Sequence, residues 1–166
     1  RASEMHRLLA FDMGGTSSDV ARYDGDFEYS FEHSVGAARL LAPALAIESV
    51  AAGGGSICSF DGLRLRVGPE SASASPGPAC YGAGGPLTVT DLNLLLGRID
   101  PQRCEIPIEP QAAERAHDQV AGALVEAGHA RPESDELLEG LLDLANEKMA
   151  DAIRRISVRC GYDPGE

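Results

Sequence analysis

The stretch Phe11-Asp12-Met13-Gly14-Gly15-Thr16-Ser17-Ser18-Asp19-Val20 sets the architecture of this chain. It follows the short apolar run Arg7-Leu8-Leu9-Ala10, which reads as a strand closed by the carboxylate of Asp12. Gly14 and Gly15 permit a tight turn that presents successive backbone N–H groups to an anion, and Thr16, Ser17 and Ser18 add hydroxyl donors. A phosphate can be held by such a loop with no lysine. Asp12 and Asp19 flank the turn, and hard carboxylates beside phosphate suit Mg2+, which keeps most of its waters and binds through one or two carboxylates. Gly14, Gly15, Thr16, Ser17 and Ser18 are therefore candidate phosphate contacts, and Asp12 and Asp19 candidate catalytic and Mg2+-side residues. The same residues also suit a plain hairpin turn with a hydroxyl cap.

Outward from the loop, Asp19 to Tyr23 reads as extended, Asp24-Gly25-Asp26 as a tight turn, and Phe27, Tyr29 and Phe31 alternate with polar neighbours. Residues 7–35 thus predict an antiparallel strand meander. Residues 40–50 are apolar but contain Pro43 and read as irregular. The Gly/Pro-rich region 36–87 reads as ordered loops that carry function, with one hairpin over Asp61-Gly62. Within it, Gly53-Gly54-Gly55-Ser56 fits a chain reversal somewhat better than a second oxyanion cradle. Glu70, in a turn after Pro69, is a candidate general base. Cys80 fits a buried thiol better than a nucleophile, since no His accompanies it.

Residues 88–161 turn helical. Thr90 is the expected N-cap of a short helix ended by Gly97, with Asp91 favouring its N-terminus; Pro110 to Ala127 form a second helix, ended by Gly128. The longest takes Ser134 as N-cap and runs to Cys160, before Gly161 and Pro164. On it Leu138, Leu141, Leu142, Ala145, Met149, Ala152, Ile153 and Ile156 form one stripe, the signature of core packing. The fold class is α/β, with long C-terminal helices on the opening strands.

Composition narrows the chemistry. The 166 residues carry 26 acidic and 14 basic side chains, a net charge of −12 that falls mostly on residues 105–151. That acidic face reads as a solvated helix surface, with a docking surface as the alternative. Phosphate-backbone binding needs clustered Lys and Arg, so nucleic acid is excluded as a partner. Lys148 is the only lysine and follows no glycine-rich turn, which excludes a Walker A nucleotide site. Cys58, Cys80, Cys104 and Cys160 are too widely spaced for a zinc site. No apolar run reaches the ~18 residues of a membrane span, and residues 1–6 lack a signal-peptide core, so a cytoplasmic location and no membrane partner are expected.

The loop resembles the second phosphate loop of the superfamily of actin, sugar kinases and heat-shock chaperones, and more closely the hydantoinase A and 5-oxoprolinase family. The similarity extends through Ala51-Ala52-Gly53-Gly54-Gly55-Ser56-Ile57, Arg66-Val67-Gly68-Pro69-Glu70-Ser71-Ala72, Pro76-Gly77-Pro78-Ala79-Cys80-Tyr81-Gly82 and Leu87-Thr88-Val89-Thr90-Asp91-Leu92-Asn93, to the block from Ala150 to Pro164. The resemblance implies a portion of an actin-like, ribonuclease-H-like ATPase domain that uses ATP and Mg2+. It implies an ATP-dependent hydrolase that opens a cyclic amide of the hydantoin or 5-oxoproline type by phosphorylating the amide oxygen, with a hydantoinase B-type subunit or domain as partner. An ATP-using subunit of a ketone carboxylase and a nucleotide-gated assembly module are the alternatives. Gly14, Gly15, Thr16 and Ser17 would cradle the phosphates; Ser18 stands where the family usually has Thr. In the family a first phosphate loop precedes these blocks and an adenosine-contacting loop follows them, so residues 1–166 are expected to be one fragment of a larger domain, inactive alone.

Overall fold

A computed structural model describes residues 6–35, 38–159 and 161–163. Strands β1 (Arg7–Met13) and β2 (Ser18–Asp24) run antiparallel on either side of the loop, in a register that sets Asp12 opposite Asp19 and Phe11 opposite Val20. The meander ends there. β3 (Tyr29–Val35) pairs with β4 (Ala38–Leu45) in a separate hairpin, and β5 (Ile47–Val50) takes the place beside β2, giving the sheet order β1-β2-β5. The Asp24-Gly25-Asp26 turn does form, with Gly25 at φ +75°, but it yields only an isolated bridge between Tyr23 and Phe27 before the chain diverges.

Residues 40–50 are therefore two strands and not an irregular segment. Pro43 is tolerated because it falls where the β3–β4 register shifts, between Ser30 and Glu32, in a hairpin that has no further strand to bond. The glycine- and proline-rich region likewise holds β6 (Ser56–Phe60) and β7 (Leu65–Ser71), joined over Asp61-Gly62 as the sequence predicts. Asp61 Oδ1 accepts hydrogen bonds from the N–H groups of Leu63 and Arg64, each at 3.0 Å, which shapes that turn.

The helices are α1 (Val89–Leu95), α2 (Pro110–Glu126) and α3 (Ser134–Arg159). Thr88, not Thr90, caps α1, in a capping box with Asp91. Thr90 is already helical and donates its hydroxyl to Gly54 O at 2.9 Å. Ser134 is the first residue of α3 and not its cap; the expected stop at Cys160 and Pro164 lies outside the described residues.

Helix α3 is the spine. Its N-terminal half buries Leu137, Leu138, Leu141, Leu142 and Ala145 in a core shared with Val67, Leu87, Val89 and Leu92. Ala152 and Ile156 then pack with Val20 of β2 in a second cluster, so one helix joins the β1-β2-β5 sheet to the β6–β7 hairpin. Lys148 on the same helix donates its Nζ to the Val67 carbonyl of β7. Beyond α3, the ring of Tyr162 lies 3.3 Å beneath the Arg22 guanidinium, and its hydroxyl donates to Asp24 at 2.9 Å. Burial works to lower the pKa of Arg22, but hydrogen bonds involving Tyr162 and Glu28 raise it above the ordinary value. The same Tyr162 hydroxyl, with Arg22 behind it, holds the Asp24 carboxyl below the usual range.

Asp91 is fully buried and accepts four hydrogen bonds: from Thr88 N–H at 2.7 Å, Thr88 Oγ1 at 2.8 Å, Ala79 N–H at 3.1 Å and Cys80 N–H at 2.8 Å. The capping role expected of it is real, and the same carboxylate ties the turn Ala79–Tyr81 to α1. Removal strands several buried donors at about 1–3 kcal/mol each. Asp91→Ala is expected to destabilise the domain by about 3 kcal/mol, with Asp91→Asn losing less, as read by calorimetric melting of the intact protein.

Candidate functional site

The loop between β1 and β2 closes on itself through a hydrogen bond from Gly14 N–H to Ser17 O at 2.9 Å. Among the described residues, no protein acceptor meets the N–H of Gly15 or Thr16. Gly15 has open space where a Cβ would stand, and Gly14, Gly15 and Thr16 are exposed, with Ser17 half-buried. Exposed amide donors and two hydroxyls on an open turn are the donor set an oxyanion requires.

Asp12 and Asp19 are directly opposed across the β1–β2 ladder and exposed, so the structure brings the two expected carboxylates together. Like charges at opposed positions destabilise a sheet unless a cation or donor intervenes. Ser49 of β5 supplies one donor, its hydroxyl 2.5 Å from Asp19 Oδ1. No group of three His, Cys, Asp or Glu side chains suited to a metal gathers among the described residues. Two carboxylates at the mouth of an anion loop suit a hydrated Mg2+ that takes its remaining ligands from phosphate.

Ser18 departs from its expected place. Strand alternation turns it inward with Val20 and Arg22; it is fully buried, and its hydroxyl donates to Ala52 O at 2.6 Å. It anchors β2 to the following chain and is not presented at the loop mouth. Glu70 is exposed on β7, but the residue of that strand that meets the loop is its neighbour Ser71, whose Oγ lies 3.4 Å from Thr16 Oγ1. Ser71 had no signal in the sequence, because its position depends on the β6–β7 hairpin folding back on the loop.

The segment Gly53–Ser56 is the floor of the site. Gly54 N–H donates to Gly14 O at 3.0 Å and Gly55 N–H to Gly15 O at 2.6 Å. A Cβ on Gly53 would stand 2.5 Å from Gly14 O, and one on Gly55 2.9 Å from Gly15 O. The glycines do reverse the chain, as favoured, and they also let one backbone lie flat against another. Gly54 O in turn accepts from Thr90 N–H at 2.8 Å, and Gly55 O from Ala72 N–H at 2.8 Å. Cys80 is fully buried, and burial together with Asp91 pushes its thiol up to about 12; burial does the same to Cys58. Neither is an activated nucleophile.

The same α/β arrangement of elements recurs in a solved structure. The structure matches a nucleotide-free acetone carboxylase, from a study of ATP-dependent acetone carboxylation, with a TM-score of 0.79 at 24% identity, over 96% of this chain and 23% of that one. Residues 1–166 match the hydantoinase/oxoprolinase family, and the chain belongs to it. It is 40% identical over 165 residues to the 5-oxoprolinase PfmaA of Pestalotiopsis fici, covering 95% of this chain and 13% of that protein. The 5-oxoprolinase of Saccharomyces cerevisiae is 40% identical over 93% of this chain and 13% of its own length. The caprolactamase subunit alpha of Pseudomonas jessenii is 37% identical over 95% of this chain and 23% of its own length. The chain thus spans less than a quarter of these relatives. No helix among the described residues is long and apolar enough to cross a membrane.

Two outcomes follow from the geometry. Gly53→Ala forces the two backbones apart, and it should cost about 1–3 kcal/mol and speed hydrogen exchange at the Gly54 and Gly55 amides. At pH 8, thiols of pKa about 12 hold roughly one part in ten thousand as thiolate. Iodoacetamide should therefore label the half-buried Cys104 while Cys58 and Cys80 stay unmodified in native protein, as followed by peptide mass spectrometry.

Proposed function

We propose that this chain forms the phosphate-binding wall of an ATP-dependent hydrolase that opens cyclic amides, within an actin-like, ribonuclease-H-like domain larger than these residues. The observation that carries the reading is the open turn Gly14–Ser17 standing over the opposed carboxylates of Asp12 and Asp19. The names of the relatives support it, since both 5-oxoproline and caprolactam are cyclic amides.

The N–H groups of Gly15 and Thr16 and the hydroxyls of Thr16 and Ser17 bind and orient the phosphates through short-range dipoles, with Ser71 steadying Thr16. Asp12 and Asp19 would hold a hydrated Mg2+, and Ser49 fixes the orientation of the Asp19 carboxylate. ATP bound there would transfer its terminal phosphoryl group to the amide oxygen and leave as ADP; water would then add to the ring carbon, the C–N bond would break with a proton passing to the nitrogen, and a second water would release phosphate from the acyl phosphate so formed. Ser18 and Gly53–Gly55 hold the loop in place without touching ligand. Glu70 remains the candidate base from the sequence, exposed one residue before Ser71. A B-type subunit or domain completes the reaction, in keeping with the alpha-subunit name of the caprolactamase relative.

The test is ADP release by the intact protein across a panel of five- to seven-membered cyclic amides. ADP formation that depends on the amide, reduced roughly 10- to 100-fold by Asp12→Ala, is the expected result. Undiminished turnover by Asp12→Ala would remove the loop from the chemistry. ADP release that requires bicarbonate and a ketone would replace the hydrolase by a carboxylase, and turnover indifferent to both would leave the assembly module.

A further inference from the structure

Beside the loop, a cleft of about 330 Å3 opens between Gly14, Gly54 and α1. Met13, Val89 and Ile99 give it apolar walls, and Asn93 and Thr90 add polar edges. Its one charged lining residue is Arg98; no carboxylate lines it among the described residues. In a chain with 26 acids to 14 bases, a cleft with this charge sign is against the trend.

Arg98 is held at the end of α1. Gly97 reverses the chain at φ +72°, and the Arg98 N–H donates to Asn93 O at 2.8 Å, so the backbone is pinned while the side chain is exposed. Arginines elsewhere are mostly spent on acids, as Arg22, Arg66, Arg131, Arg154 and Arg155 are, but Arg98 has no ion-pair partner among the described residues. A guanidinium is a planar fork suited to a carboxylate. Apolar walls, a polar edge and one fixed cation describe a site for a small ring that carries an anionic substituent. Phosphate itself is less well suited, because methylene-lined walls offer it no donors, whereas the amides and hydroxyls of Gly15, Thr16 and Ser17 do.

We propose that this cleft is the amide-substrate subsite and that Arg98 determines specificity by pairing with a carboxylate on the ring. The inference rests on the hydrolase reading above and adds the residue that would tell a carboxylate-bearing lactam from a neutral one. Because Gly14 is shared by the loop and the cleft, a ring seated there lies beside the phosphate site.

The experiment compares 5-oxoproline with the same five-membered lactam lacking its carboxylate, in the intact protein and its Arg98→Gln and Arg98→Lys variants. ADP release gives kcat and KM, and calorimetry gives the Mg-ATP affinity without amide. Loss of a charge-assisted hydrogen bond should raise the KM for 5-oxoproline about 30-fold in Arg98→Gln, collapsing the preference over the neutral lactam, with Arg98→Lys intermediate. The Mg-ATP affinity should stay within about threefold of the parent. Melting temperatures matching the parent guard against misfolding, and if Arg98→Gln fails to fold, the Arg98→Lys preference decides. An unaltered preference overturns the inference while leaving the hydrolase reading intact. A parallel fall in Mg-ATP affinity also overturns it, by making Arg98 a phosphate contact. Parent protein that binds Mg-ATP but releases ADP with no cyclic amide refutes the hydrolase reading and takes this inference with it.

Discussion

Two backbone hydrogen bonds, from Gly54 N–H to Gly14 O and from Gly55 N–H to Gly15 O, hold the loop to the rest of the domain. They require two main chains to lie closer than any side chain permits, since a Cβ on Gly53 would sit 2.5 Å from Gly14 O. From this junction the order spreads outward. The Gly54 carbonyl reaches Thr90 on α1, the Gly55 carbonyl reaches Ala72 after β7, and buried Asp91 gathers the turn at Ala79 and Cys80 to the start of the same helix. The site is therefore an arrangement of main chain, and its side chains decorate a surface already set.

The parts of the fold legible in the sequence are those whose signal is local. The hydrophobic stripe of α3, the Pro110 start of α2, and the hairpin over Asp61-Gly62 each depend on neighbours a few residues apart, and each is where the pattern predicts. Strand partners are not local. Alternation in Phe27, Tyr29 and Phe31 announces a strand but not that it pairs with β4 and leaves the place beside β2 to β5. Pro43 misleads for a related reason: its cost depends on whether the strand has a second neighbour, which only the topology decides. The cap of α1 lies two residues before the expected Thr90, because of the two threonines only Thr88 stands three residues before Asp91 and can form a capping box with it.

The site divides in the same way. The adjacency of Asp12 and Asp19 is implicit in a two-strand turn of known length, and the glycines between them mark the turn. Ser18 faces the core for a reason present in the sequence: it lies two residues before Val20 and shares that residue's inward side, so alternation sends its hydroxyl inward. Ser71 and Arg98, in contrast, reach the loop across more than fifty residues of chain, one through a hairpin and one through the glycine turn at the end of α1. No spacing rule connects such residues.

The chain's only lysine is fastened to the Val67 carbonyl inside the scaffold, which has a consequence for how an anion is gathered. The loop offers oriented dipoles, whose attraction fades faster with distance than that of a full charge, while the surrounding surface carries a net −12. Beyond a Debye length of about 8 Å the approaching anion meets only the screened, repelling surface. Capture is thus decided at contact, by fit and by the loss of water, and long-range steering contributes little. Added salt, which slows association at lysine-rich sites, should weigh far less on this one.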